Sequence, residues 1–160
     1  MTYIGTLAVI AAVLFAWRTY CAFLHEELSD TRAFLNALRD YREKMKCYLD
    51  SPAAWAHGYT VEPLASSEFI KRVARGEPIS SAYPDTRDAF CLPCDIDEVI
   101  SDCFSRLGEG YLDTELTALD GAISRIAERE GRMADDIARR TKVAGALLGA
   151  CAVGIVILVI

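Results

Sequence analysis

VAGALLGACAVGIVILVI, residues 143–160, contains no charged side chain, and neither does IGTLAVIAAVLFAW, residues 4–17. A helix that spans a bilayer needs about 20 consecutive apolar residues. The later run has nearly that length. The earlier one reaches it once Met1, Thr2, Tyr3 and the aliphatic stem of Arg18 are counted. The sequence therefore predicts an N-terminal transmembrane helix over 1–18, a polar domain over 19–142 and a C-terminal transmembrane helix over 143–160. A secretory signal is the competing reading of the first run, but Met1-Thr2-Tyr3 carries no Lys or Arg and no Ala-x-Ala site with a polar break follows. For the second run the alternative is a buried core helix, and an all-apolar surface would then need covering on every side.

The flanking charges set the expected orientation. Arg18 and Arg32 follow the first run, and Arg125, Arg129, Arg132, Arg139, Arg140 and Lys142 precede the second, while the far sides carry no Lys or Arg. Basic residues stay on the cytoplasmic side of spanning helices, so a two-pass cell-membrane protein with a cytoplasmic middle domain is expected. A net charge of −6 argues against nucleic acid, whose phosphates demand a basic stripe. The six cysteines, Cys21, Cys47, Cys91, Cys94, Cys103 and Cys151, are then expected as reduced thiols.

The middle segment reads as helices. Phe34, Leu38, Tyr41, Met45 and Tyr48 recur at steps of four and three, behind capping side chains at Ser29-Asp30-Thr31, and predict a helix from about 30 to 49 that Ser51-Pro52 ends. Residues 52–62 read as a loop or a short helical turn. A helix over about 66–75 presents Phe69, Ile70 and Val73 and stops at Gly76. Residues 81–90 give no clear period. Asp95 precedes an amphipathic helix with Ile96, Val99, Ile100, Cys103, Phe104 and Leu107, closed by Gly108 and Gly110. From Asp113 as a cap, Leu116, Leu119, Ile123, Ile126, Met133 and Ile137 keep a heptad-like step, and nothing stops that helix before the chain end. Glu130 occupies a slot that the repeat makes apolar. No alternating β-branched run is long enough for a strand. The fold class expected is all-α, an antiparallel helical bundle between the two spanning helices.

Small residues recur within the apolar runs: Ala8, Ala12 and Ala16 in one, Gly145 and Gly149 in the other. Lipid does not drive helices together, so close approach at small side chains is the expected packing device. Arg18, Arg139, Arg140 and Lys142 flank the membrane, and of the basic residues before the second run only Arg139, Arg140 and Lys142 are near enough to meet anionic headgroups. Glu128, Glu130, Asp135 and Asp136 interleave with the later arginines, which favours ion pairs at i,i+4 instead.

No catalytic residues and no cofactor are expected. His25-Glu26-Glu27 opens like a zinc-protease helix, but Ser29 stands where the second His belongs. Gly108-Glu109-Gly110 opens like a dinucleotide loop, but Asp113 replaces the third Gly. Glu26-Glu27 and Asp135-Asp136 read as solvated helix faces. Cys91-Leu92-Pro93-Cys94, ahead of a helix, is the one candidate for chemistry. A thiol at a helix start can ionise easily and a neighbouring thiol can resolve a mixed disulfide, which leaves a membrane-tethered redox protein using Cys91 and Cys94 as the alternative function. A zinc site would have to recruit Cys47, Cys103 or His57 to the same pair.

Taken in order, Gly5 in the first run, Phe34-Leu35-x-x-Leu38, Leu107-Gly108, Glu115, Leu119, Ile123, Lys142 and Leu148-Gly149 resemble the stage III sporulation protein AB family. Residues 51–93 fall outside that pattern. The resemblance implies a membrane protein of the mother cell whose soluble domain is similar to the cytoplasmic helical domains of type II secretion and type IV pilus platform proteins. It also implies a platform or assembly role in the channel complex between mother cell and forespore. The partners it implies are other stage III sporulation membrane proteins and their ATPase, with no small-molecule substrate.

Overall fold

Phe34, on the first helix, is fully buried and touches three other rings: Phe90 at 4.9 Å and Tyr83 at 5.7 Å, both edge-on, and Phe69 at 6.0 Å. The edge-on contacts set the positive rim of one ring against the negative face of the next. This cluster organises the fold of a computed structural model that describes the backbone of residues 2–48, 51–108 and 111–159, and the side chains of 11–47, 51–108 and 111–146. Among the described residues there are six α-helices and no strand: α1 (Thr2–Tyr48), α2 (Pro52–Gly58), α3 (Glu68–Ala74), α4 (Ile79–Thr86), α5 (Cys94–Ser105) and α6 (Leu112–Val159). Two units are distinguished, one of Met1–His25 with Gly131–Ile160, the other Glu26–Glu130.

In the unit 26–130, α1 and α6 run antiparallel. Arg32 pairs with Glu130 at 2.6 Å, and further along α1 Arg42 pairs with Asp120, further back along α6. Glu130 thus fills its apolar slot with a cross-helix ion pair. Between these helices and α2–α5 lies one core, with Phe34, Leu38 and Tyr41 from α1, Phe69, Ile70 and Val73 from α3, Tyr83 from α4, Ile100 and Phe104 from α5, and Leu119 and Ile126 from α6.

Local chemistry explains the short helices. The Ser51 hydroxyl accepts the Ala54 amide at 3.2 Å and Pro52 takes the first helical position, so the pair expected to end α1 instead starts α2. Ser67 caps α3 in the same way through the Ile70 amide. At its other end Gly76, at φ +91°, donates to the Val73 carbonyl while Glu77 donates to that of Arg72, the paired bonds that close a helix on a left-handed residue. Gly108, at φ +90°, follows α5, and its amide donates to Glu115 Oε1. Gly110 lies outside the described residues.

Two expectations need correction. No helix begins at Ser29-Asp30-Thr31: α1 runs through it, because residues 6–48 contain neither Gly nor Pro and the chain upstream is already helical. Asp30 instead accepts the Cys91 amide at 2.8 Å, and Thr31 is fully buried with its hydroxyl unpartnered among the described residues. Asp113 is not the cap of α6 but part of its first turn, where a carboxylate meets the positive end of the helix dipole. Residues 81–90, without period in the sequence, form the end of α4 and a 3-10 turn at Arg87–Ala89.

Candidate interaction surfaces

Cys94 is the first residue of α5 and exposed; Cys91 is half-buried in the preceding segment. Both are free thiols. A redox pair needs a thiol that ionises easily, yet Cys91 is pushed up from its ordinary value, first by burial and then by the carboxylates of Glu26, Glu27 and Asp30. Cys103 lies in the core between α5 and α6, and burial raises it to about 12. Among the described residues, no three His, Cys, Asp or Glu side chains are arranged to hold a metal ion, so Cys47, Cys103 and His57 do not join Cys91 and Cys94 in a zinc set.

The carboxylates divide differently from the solvated faces expected. Asp135 and Asp136 are exposed, as is Glu26, but Glu27 is half-buried. Burial raises its pKa above the ordinary 4.5, Arg129 opposes that shift, and Asp95 adds to it. Arg129 itself pairs with Asp95 at 2.9 Å, tying α6 to the start of α5. Two further carboxylates are spent on aromatic donors: Asp97 accepts the Tyr83 hydroxyl at 2.6 Å and Asp40 accepts the Trp55 indole N–H at 2.9 Å. These bonds satisfy the polar ends of large buried rings, which is why the rings can sit in the core.

Between α5 and α6 a groove of about 790 Å³ opens over Val99, Asp102, Cys103, Ala118, Gly121 and Ala122. A Cβ added at Gly121 would meet nothing within 4 Å. The small residues on one face of α6 are the groove's one trace in the sequence.

The residues expected at the membrane fall in the other unit. Ala8 and Gly149 lie outside the described side chains. Ala12 and Ala16 are exposed on α1, and Gly145 has open space where a Cβ would stand. Among the described residues no helix is long and apolar enough to cross a membrane, and the side chains of 4–10 and 147–160, most of the two apolar runs, are outside that description. Arg18, Arg139, Arg140 and Lys142 are all exposed. Arg140 donates to the hydroxyl of Tyr20, whose ring lies 6.0 Å from that of Trp17. Tyr20 was not singled out from the sequence. The aromatic pair beside Arg18, at the end of an apolar run, is the signal that points to it.

No protein-family model and no curated protein matches the chain. Among solved structures it is similar to stage III sporulation protein AB, with a TM-score of 0.60 and 13% identity over 71% of this chain and 97% of that one. The helical architecture described above is therefore a stage III sporulation protein AB-like fold.

Proposed function

We propose that this chain is a non-enzymatic membrane component of the stage III sporulation channel complex between mother cell and forespore, acting as a platform or assembly subunit. The observation that carries the reading is the fold likeness to stage III sporulation protein AB, which extends over 97% of that protein's chain. Two features of the chain support it. Apolar runs at 4–17 and 143–160 suit anchoring on both sides of a polar domain. Several titratable groups of that domain hold helices together, as Asp30, Asp40, Asp97, Arg129 and Glu130 illustrate. The partners proposed are other stage III sporulation membrane proteins and their ATPase, met on exposed helix faces from the cytoplasmic side of the cell membrane.

The test is deletion of the gene in the source organism together with affinity purification of the full-length chain from membranes of sporulating cells. The account expects arrest of spore development and co-purification of stage III membrane proteins. Normal spore yield without the gene would overturn it.

A further inference from the structure

We propose that Arg18, Arg139, Arg140 and Lys142, with the rings of Trp17 and Tyr20, form a collar that binds the headgroups of anionic phospholipid. The inference rests on the reading of the chain ends as membrane anchors and specifies the lipid they meet.

Sequence alone weighs against such a collar, because Asp135 and Asp136 stand four residues before Arg139 and Arg140, the spacing of intrahelical ion pairs. The structure removes that objection. Neither pair forms, and none of the four collar cations takes part in an ion pair among the described residues, although ion pairs such as Arg32–Glu130, Arg42–Asp120 and Arg129–Asp95 are frequent in the unit 26–130. Arg140 is bonded to the Tyr20 hydroxyl and to no carboxylate among the described residues, which leaves its charge uncompensated.

That bond also brings the collar together. Trp17 and Arg18 lie within a turn of Tyr20 on α1, and Arg139, Lys142 and Val143 within a turn of Arg140 on α6, so cations from both helices sit at one level. Beyond it on the α1 side the exposed side chains turn apolar: Val13 is 58% exposed and Phe15 74%. On α6 Val143 is 54% exposed. Cations and amphipathic rings at one level, followed by bare apolar surface, match the layering of headgroups over acyl chains. A neutral headgroup layer would leave four positive charges unanswered, whereas each cation near an anionic surface favours association by roughly fivefold.

The full-length chain is reconstituted into phosphatidylcholine bilayers, and the association of spin-labelled phosphatidylglycerol is compared with that of spin-labelled phosphatidylcholine. The expected result is a preference for phosphatidylglycerol of about fivefold or more that falls to near parity in R18Q/R139Q/R140Q/K142Q and persists in R139K/R140K, which keeps the charge. Equal association of the two lipids with the parent chain, or a preference unchanged in the glutamine variant, overturns the collar and leaves the anchor reading standing. Failure of the chain to float with the bilayers overturns both.

Discussion

Two phenylalanines on α1 should behave oppositely when cut back to alanine. Phe34 is fully buried and its ring meets Phe69, Tyr83 and Phe90, so Phe34→Ala removes a complete side chain from the centre of the core and three aromatic contacts with it. Truncations of this kind cost about 3–5 kcal/mol, and the upper half of that range applies here because the surrounding rings come from α3, α4 and the segment before α5 and cannot collapse independently into the space. A domain of about 100 residues holds only ~5–15 kcal/mol in total. The variant should therefore lose about a quarter or more of its stability. Phe15, 74% exposed on the same helix, leaves no cavity, and Phe15→Ala should change the unfolding of the bundle by less than about 0.5 kcal/mol. The assay is chemical unfolding of the full-length chain in detergent, followed through the buried indole of Trp55. If Phe34→Ala unfolded within about 0.5 kcal/mol of the parent, the packing of residues 51–93 against α1 would be wrong.

Thr31→Val distinguishes a continuous α1 from a helix that starts at residue 30: losing a cap would cost about 1 kcal/mol, whereas removing a buried unpartnered hydroxyl at constant shape should gain about 1 kcal/mol in thermal or chemical unfolding. Glu27 has its pKa raised in the folded protein, so the fold binds this proton more tightly than the unfolded chain does, and the associated stability is present below 4.5 and lost as pH rises through the raised value. Unfolding midpoints measured across that window should fall less steeply with pH in Glu27→Gln than in the parent; an unchanged slope would place the burial of Glu27 in error. C91S/C94S should leave spore formation intact, since burial and the carboxylates of Glu26, Glu27 and Asp30 hold the Cys91 thiol against ionisation; loss of sporulation with normal protein levels would reinstate a thiol function.

What the sequence made legible followed from strong periodicity. The stripes Phe34–Leu38–Tyr41 and Leu119–Ile126 fix α1 and α6, and Gly76 and Gly108 mark helix ends that the left-handed backbone confirms. Helix starts were read less well, because Ser, Thr and Asp cap a helix only where the chain before them is not already helical. Asp30 and Thr31 sit inside α1, and Ser51 serves the following helix rather than the preceding one. The segment 51–93 was obscure because its helices have seven or eight residues, too few for a period to show. It nevertheless supplies Trp55, Phe69 and Tyr83 to the core. Long-range pairs such as Arg32–Glu130, Arg129–Asp95 and Tyr20–Arg140 have no local signature at all, which is why interleaved charges on α6 read as intrahelical pairs.

The function proposed here requires that the polar domain be held at the cytoplasmic face by apolar ends. It is tested most directly by a full-length variant that keeps only Cys94, which is exposed at the start of α5, with Cys103 replaced by alanine and the other cysteines by serine. The account predicts that the chain stays in the membrane pellet through alkaline extraction and that a membrane-impermeant maleimide labels Cys94 only after the cells are permeabilised. Recovery of the chain in the soluble fraction, or labelling of Cys94 in intact cells, would contradict it.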